Sequence, residues 1–337
     1  MPKHVPSELL QSITLEDMVV KAWRELQPER VKPESVEIIR KKRRWAVFRL
    51  VGVGLAGSAV IAKRCEQDDA LIERTLYEEV LPYTAITAPY YYGLVEEPDG
   101  NFCWLFLEDV AGENYSPYIE EHRALAAQWL GHLHTSATYV PAANRLTDQG
   151  PGHYLEHLQS GRTKILCSLT NLKLTADGRA VLESILSQCD FLESCWQRVE
   201  EFCAALPRTL VHGDFTGKNL RVRTGQGGTE LLAFDWEKAG WGTPAPDLAP
   251  LALPGARGFS ANPDILTYWS IVRNQWPRLD FQTIEQLANC GKAFRCLAAI
   301  NWRSQRLTYE EGSWVVEDLR IYQTGLSDAI RSAPWAR

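Results

Sequence analysis

Two short apolar segments, each followed by a carboxylate, constrain this sequence more than any other feature. Residues 209–211 predict a buried strand, and Asp214 and Asn219 lie just beyond it, five positions apart. A second apolar segment, residues 231–234, ends at Asp235. A carboxylate that can accept a proton, an amide oxygen and a second carboxylate are the groups that a phosphoryl-transfer site requires. The two segments therefore predict such a site at the ends of two strands.

A simple turn is the alternative interpretation of the first segment. His212-Gly213-Asp214 could reverse the chain, with the aspartate side chain accepting a backbone N–H. Two further features argue against this interpretation. Asp235 follows sixteen residues after Asn219, and a lysine stands at the end of another predicted strand.

Three motifs resemble those of the aminoglycoside phosphotransferase and choline kinase group. They are His212-Gly213-Asp214-Phe215 with Asn219, Phe234-Asp235-Trp236-Glu237, and Pro246-Asp247-Leu248-Ala249. The catalytic loops of protein kinases share the Asp-to-Asn spacing. The resemblance implies an α+β, two-lobed protein-kinase-like fold, with an N-terminal antiparallel sheet lobe containing one key helix and a larger, mainly helical C-terminal lobe. It also implies ATP, or GTP, together with Mg²⁺ and a small-molecule hydroxyl acceptor.

The resemblance also implies a role for each matching residue. Asp214 would be the catalytic residue that accepts or orients the acceptor's hydroxyl proton. Asn219 and Asp235 would bind Mg²⁺, which prefers oxygen ligands. Lys63, oriented by Glu73, would bind the α- and β-phosphates of the nucleotide.

The lysine assignment depends on its position at the end of the apolar strand 60–63. A lysine at such a position is otherwise a surface residue whose stem covers apolar neighbours. The next predicted helix, about residues 68–80, supplies the glutamate partner. Glu73 is favoured, and Glu78 and Glu79 are expected to be solvated.

The first lobe is predicted to span residues 1–109, with a leading helix over about 14–27, and the second lobe residues 110–337. The predicted strands of the first lobe are 35–39, 45–53, 58–63, 90–95 and 102–107. Residues 107–112 resemble the hinge of the family. The backbone at Glu108 and Val110 would meet the adenine edge there, with no contribution from the side chains.

Two loops of the first lobe have competing interpretations. Gly52, Gly54 and Gly57 have the spacing of a dinucleotide-binding loop, but strand-like sequence follows them where that motif requires a helix. We therefore predict a hairpin away from the nucleotide phosphates. The basic residues 40–44 could form a solvated turn or contact the phosphates, and a nucleic-acid patch is the less favoured alternative.

The second lobe is predicted to be mainly helical, and in the family this region forms the acceptor pocket. The predicted helical segments are 119–135, 151–206, 263–276, 281–303 and 313–331. His153 and His157 are four residues apart and could share a helical face. Without a third ligand, the spacing does not favour a metal site.

Composition narrows the class of protein and its partners. The chain has 337 residues and a net charge of -6, which argues against nucleic acid as the main partner. Eight cysteines without a Cys-x-x-Cys pair are typical of reduced thiols, so a cytoplasmic location is expected. The longest apolar segment, residues 51–62, contains three glycines and is too short to span a bilayer. The sequence leaves monomer and dimer open.

Three functions compete at this point. The first is a Mg²⁺-dependent kinase of an antibiotic, an amino-sugar or an amino-alcohol-like metabolite. The second is a non-catalytic nucleotide-binding module. A protein kinase is less favoured because Asp-Phe-Gly and Ala-Pro-Glu are absent from the sequence. Trp236, Trp241 and Glu237 favour a compact polar acceptor that could be cationic.

Overall fold

The computed structural model describes residues 14–27, 29, 32–42, 45–171, 174–225, 227–250, 260–308 and 313–333. They divide into two units, the first containing the described residues up to Arg74 with Pro89–Asp109, and the second containing Thr75–Ala88 with the described residues from Val110 onward. The boundary predicted from the sequence, at residue 109, placed residues 75–88 in the first lobe, whereas in the structure they belong to the second unit. The Ser136 hydroxyl accepts the Ala85 N–H, and the Trp129 indole donates to Thr87, which attach this segment to the second unit.

The first unit contains an antiparallel sheet. Its elements are α1 (Leu15–Leu26), β1 (Val36–Lys41), β2 (Ala46–Leu50), β3 (Val60–Glu66), α2 (Gln67–Thr75), β4 (Tyr91–Glu96) and β5 (Phe102–Glu108). The strand order is β1-β2-β3-β5-β4. Alternate residues of β2 are buried, and α1 inserts Trp23 against Tyr92 and Phe106. This agrees with the predicted order of a leading helix followed by strands. A Thr14–Asp17 capping box begins α1.

The glycine-rich segment connects β2 to β3, which pair antiparallel. Gly52 and Gly57 have φ angles of 81° and 78°, in the region that glycine adopts without strain. The predicted hairpin is confirmed, and its position away from the nucleotide phosphates stays a prediction. In the basic segment, Arg43 and Arg44 lie outside the described residues, and Lys42 lies 5.0 Å from the centre of the Trp45 ring.

The second unit is mainly helical. Its helices are α3 (Glu120–Ala137), α4 (Pro151–Asn171), α5 (Ala176–Ser194), α6 (Trp196–Ala204), α7 (Ile265–Val272), α8 (Phe281–Ser304) and α9 (Ser313–Ser332). The helical region predicted over 151–206 divides into α4, α5 and α6. The Thr175 side chain accepts the Gly178 N–H and so begins α5.

Short strands of the second unit position the polar residues. They are β6 (Glu113–Asn114), β7 (Asp148–Gln149), β8 (Thr209–Val211), β9 (Leu220–Gly225), β10 (Gly228–Ala233) and β11 (Gly240–Gly242). They form two small sheets, β10-β9-β6 and β7-β11-β8. Strand β8 and the apolar end of β10 were predicted. Among the residues that the structure describes, no helix has both the length and the apolar character needed to cross a membrane.

Candidate active site

The loop after β8 is anchored by Asp247. The Asp247 side chain is fully buried, with its Oδ2 accepting the His212 N–H at 2.7 Å and its Oδ1 accepting the Gly213 N–H at 3.0 Å. Gly213 has a φ of 76°, and a Cβ atom there would lie 2.2 Å from the Lys238 carbonyl oxygen. The loop conformation therefore requires glycine at this position. Asp247 therefore caps the backbone turn at His212 and Gly213.

A buried hydrogen-bond chain extends this anchor. His134 Nε2 lies 3.4 Å from Asp247 Oδ2, and His134 Nδ1 lies 2.9 Å from the Tyr268 hydroxyl. A carboxylate can only accept, so Nε2 carries the proton and Nδ1 accepts from Tyr268. Burial raises the pKa of Tyr268, which keeps its hydroxyl available as a donor. The chain fixes the position of Asp247 from helices α3 and α7.

His212 supports the loop from inside the core. It is fully buried and packs against Trp236, with ring centres 4.5 Å apart. Its Nδ1 accepts the Asp214 N–H at 3.4 Å. Burial lowers the pKa of His212, so the ring is neutral at pH 7. These contacts stabilise the loop that carries Asp214.

Asp214 lies at the centre of a group of hydrogen-bond donors. Its Oδ2 accepts from Asn219 Nδ2 at 3.1 Å and from Lys218 Nζ at 2.7 Å. Its Oδ1 lies 3.5 Å from Arg295 Nη2. The structure thus brings Asp214 and Asn219 together as predicted. It adds Lys218, whose side chain is more than half exposed, and Arg295, which sequence reasoning missed.

The β9–β10 hairpin places Asn219 and Asp235 at the same end. Leu220 pairs with Ala233, and the Phe234 N–H donates to the Asn219 carbonyl at 3.1 Å. Asp235 has a φ of 69°, an unusual conformation for a residue with a side chain. Such conformations persist where the surrounding structure enforces them, and they are concentrated at functional sites.

These two residues fit a magnesium ion. Asn219 Nδ2 donates to the Asp214 backbone oxygen at 3.0 Å as well as to its carboxylate, so the amide oxygen of Asn219 is directed away from Asp214. An amide oxygen and the Asp235 carboxylate are ligands of the hard type that Mg²⁺ prefers. No group of three or more His, Cys, Asp or Glu side chains suited to a metal occurs in the described part of the chain. Two protein ligands suffice, because Mg²⁺ usually keeps several waters.

The first unit contains the predicted lysine–glutamate pair. Lys63 Nζ lies 2.7 Å from Glu73 Oε1, and the Glu73 side chain is fully buried. Strands β2 and β5 flank Lys63 on β3, where it pairs with Val47 and Leu105. Glu73 is therefore confirmed as the partner of Lys63. Glu79, predicted to be solvated, is half exposed and pairs with Arg145.

The predicted hinge residues lie at the end of β5 and directly after it. The Glu108 N–H donates to the Tyr90 carbonyl at 2.8 Å, and the Glu108 carboxylate accepts the Tyr90 N–H at 3.0 Å. Asp109 accepts from Arg49 Nε at 2.7 Å. These contacts fix the backbone of the segment within the first unit. The nucleotide contacts predicted for Glu108 and Val110 stay a prediction.

His153 and His157 form a directed hydrogen-bond chain in α4. Lys164 Nζ donates to Asn301 Oδ1 at 2.5 Å, and Asn301 Nδ2 donates to His157 Nδ1 at 2.7 Å. His157 Nε2 must then carry the proton and donate to His153 Nε2, 3.2 Å away. Burial lowers the pKa of His157 to about 4, and electrostatic repulsion from His153 and Lys164 contributes to the decrease.

Comparison with known proteins identifies the family. Residues 54–281 match the model of the phosphotransferase enzyme family. No curated protein sequence matches the chain significantly. More than half of the chain lies within the family match.

Solved structures show the same fold at low identity. Wild-type aminoglycoside 2'-phosphotransferase-IIIa, as its GDP complex, is 13% identical, with 91% of this chain and 97% of that one covered and a TM-score of 0.60. Choline kinase from Cryptosporidium parvum Iowa II is 13% identical, with 88% of each chain covered and a TM-score of 0.57. Spectinomycin phosphotransferase, with ADP and spectinomycin, is 12% identical, with 92% and 97% covered and a TM-score of 0.55. The fold is therefore the predicted α+β, protein-kinase-like one. The chain belongs to the phosphotransferase enzyme family, and it is a small-molecule kinase that uses a hydroxyl group as acceptor.

Proposed function

We propose that the protein transfers the γ-phosphoryl group of ATP, or of GTP, to a hydroxyl of a small molecule in a Mg²⁺-dependent reaction. The observation that carries the proposal is the arrangement of Asp214, Asn219 and Asp235 at the ends of β8 and β10. The loop holding Asp214 is anchored through the buried Asp247, so the carboxylate has a defined position before any ligand binds. Phosphoryl transfer depends mainly on such positioning and on charge neutralisation.

Asp214 accepts or orients the proton of the acceptor hydroxyl. Its side chain is one-fifth exposed, so a substrate hydroxyl can approach it while most of the surrounding water is excluded. Asn219 donates to Oδ2 and to the Asp214 backbone oxygen, which fixes the carboxylate plane. A positioned base of this kind typically contributes about 10²–10⁴-fold to the rate.

Asn219 and Asp235 hold the metal through an amide oxygen and a carboxylate. A bound Mg²⁺ would supply positive charge that offsets the negative charge on the nucleotide phosphates. The left-handed backbone of Asp235 sets the direction in which its carboxylate leaves the chain. His212 and Trp236 pack beneath the loop and keep it from collapsing into the core.

Lys63 binds the α- and β-phosphates of the nucleotide. The buried Glu73 holds the ammonium group at 2.7 Å and restricts its position on β3. The backbone at Glu108 and Val110 meets the adenine edge. Structural neighbours crystallised with GDP or ADP support a nucleoside-phosphate site in this fold.

The acceptor class extends the proposal. Neighbours with the same fold were crystallised with kanamycin or hygromycin B, and another is a choline kinase, which supports an antibiotic, an amino-sugar or an amino-alcohol-like metabolite. One argument for a cationic acceptor does not hold. Trp236 is fully buried, packed between His212 and Trp129, and therefore presents no ring face to an acceptor.

The proposal is tested by calorimetry and by an ATP-consumption assay. Purified protein should bind ADP or ATP only weakly without Mg²⁺ and more tightly with it. A panel of amino-sugars, nucleosides, macrolides, peptide antibiotics and choline-like alcohols should include an acceptor that consumes ATP. Asp214→Asn should lower that consumption about 10²–10⁴-fold, whereas Asp190→Asn, at a half-exposed carboxylate paired with Arg162, should leave it unchanged. Absence of Mg²⁺-dependent nucleotide binding contradicts the proposal. Nucleotide binding without turnover for any acceptor favours the non-catalytic module.

A further inference from the structure

Arg295 on α8 is the side chain near Asp214 whose contacts are least explained by the fold. Its side chain is 19% exposed, and its Nη2 lies 3.5 Å from Asp214 Oδ1. Its Nη1 is buried and has no hydrogen-bond partner among the residues that the structure describes. A guanidinium has five N–H donors, and buried donors left unsatisfied are costly.

The 3.5 Å distance between Arg295 and Asp214 is longer than that of a strong ion pair. Charge-assisted N–H···O bonds are typically about 2.7–2.9 Å long. Asp214 Oδ2 already accepts from Lys218 and Asn219. The chain shows elsewhere how it satisfies a buried arginine, because Arg64 meets both oxygens of Glu97 at 2.6 Å. Arg295 lacks such a bidentate carboxylate, although its guanidinium suits one.

The charged side chains that face the Asp214 carboxylate are positive. Arg295 and Lys218 both face Asp214, so two cations surround one carboxylate. The nearby Asp235 is assigned to the metal. A polycationic group placed against Asp214 would be repelled by both side chains, whereas an anionic oxygen there would be attracted by both.

We propose, on the basis of the proposed function, that Arg295 selects an alcohol carrying a carboxylate or phosphate close to its reacting hydroxyl. The hydroxyl must lie within about 2.6–3.2 Å of an Asp214 oxygen to transfer its proton. Since Arg295 approaches Oδ1 of that carboxylate, a group one to three bonds from the hydroxyl reaches the guanidinium. Short hydroxy acids, amino-bearing ones included, and phosphorylated polyols have this arrangement. Arg295 is thus a specificity-determining residue that touches the acceptor.

The first test measures anion binding and needs no turnover. Wild type, Arg295→Gln and Arg295→Lys are titrated with malonate and with inorganic phosphate in the presence of ADP and Mg²⁺, by calorimetry and thermal shift. The control is Arg303→Gln, because Arg303 lies on the same helix, is 21% exposed and has a carboxylate, Asp318, at the same 3.5 Å distance. Anion affinity should fall about 10- to 100-fold in Arg295→Gln, fall less in Arg295→Lys and stay unchanged in Arg303→Gln.

The second test compares matched acceptors in the ATP-consumption assay. The pairs are glycerol with glycerate, and ethanolamine with serine, in which the second member adds a carboxylate. The wild type should have a kcat/KM about 10- to 100-fold higher for the carboxylated member, and Arg295→Gln should bring the ratio of the two kcat/KM values close to one.

The outcomes separate this inference from the proposed function. Equal anion binding by wild type and Arg295→Gln overturns the inference, as does a wild-type preference for the members that lack a carboxylate. Anion binding that depends on Arg295, without ATP consumption for any acceptor, supports the anion site while contradicting the kinase proposal. Equal losses in Arg295→Gln and Arg303→Gln would assign both arginines to general stability and overturn the selective role. Circular dichroism of the lysine variant checks that the fold is retained.

Discussion

Replacing Asp247 by asparagine should destabilise the protein and displace the loop that carries Asp214. Each oxygen of this buried carboxylate accepts one backbone N–H, from His212 and from Gly213. Asparagine has the same shape but only one acceptor oxygen. Whichever way its amide is oriented, the NH₂ group faces a backbone N–H, so one donor loses its partner.

The expected loss of stability follows from these contacts. A hydrogen bond to a charged group contributes about 1.5–3 kcal/mol, and a buried unsatisfied donor costs about 1–3 kcal/mol. Removing a buried negative charge offsets part of this cost. The free energy of unfolding should therefore fall by about 2–3 kcal/mol. Asp247→Ala, which leaves both N–H groups unsatisfied and creates a cavity, should lose about 3–5 kcal/mol.

Urea unfolding followed by tryptophan fluorescence measures the change, with Asp190→Asn as the control. Asp190 is exposed and bonded to Arg162, so its variant should stay within about 0.5 kcal/mol of wild type. Turnover of Asp247→Asn should also fall by about 10²-fold at a temperature where it is folded, because small displacements of a catalytic group cost that much. Wild-type stability and turnover in Asp247→Asn would refute the argument that this carboxylate positions the loop.

The remaining predictions concern the residues of the proposed site and the partly buried His157. Asp214→Asn should lower turnover by about 10²–10⁴-fold, while its affinity for ADP·Mg²⁺, measured by calorimetry, changes only a few-fold. Asp235→Asn should lose Mg²⁺-dependent nucleotide binding as well as turnover. Equal behaviour of the two variants would contradict their separate roles. Lys63→Ala breaks the 2.7 Å pair with the buried Glu73, so urea unfolding should show a loss of about 3 kcal/mol, and adding Glu73→Gln should restore stability but not ATP use. The pKa of His157 is about 4 in the folded chain, against an ordinary value of 6.5. The stability that the neutral ring contributes is therefore complete above pH 6.5 and is lost as the pH falls towards 4. After allowance for partial exposure, the free energy of unfolding should fall by about 1–2 kcal/mol over this range. A His157→Gln variant with the same pH dependence of the urea midpoint would contradict that assignment.

Periodicity predicted the long elements because each buries one face. Buried Ile185, Cys189 and Leu192 fall at helical spacing along α5, and Ala46, Phe48 and Leu50 alternate along β2. The breaks between α4, α5 and α6 were not predicted. A cap such as Thr175 is a single polar residue in a polar stretch, and nothing in the apolar pattern changes there.

The short strands could not be predicted, for a related reason. Strands β6 and β7 contain two residues each, and β11 is Gly240–Gly242. Such strands form because neighbouring backbones offer hydrogen bonds, not because of a side-chain pattern. At Gly240 and Gly242 a Cβ atom would lie within 2.5 Å of Gln149 or Thr147 atoms, so glycine permits the close approach of β11 to β7.

The candidate site divides in the same way into a predictable and an unpredictable part. Asp214 and Asn219 are separated by five positions on one loop, and their contact is local in sequence. Asp235 follows from the adjoining hairpin. The Lys63–Glu73 pair also joins a strand to the next helix. Each contact lies within a short segment whose spacing carries the chemistry.

Arg295 has no such local signature. In the sequence it is one basic residue on an amphipathic helix, where the ordinary expectation is a solvated side chain, as for any exposed helix position. Its significance arises only because α8 packs so that the guanidinium approaches Asp214 Oδ1 and buries Nη1. The residues proposed for phosphoryl transfer are therefore brought together by one loop and one hairpin, whereas the residue proposed for acceptor selection lies on a helix far along the chain.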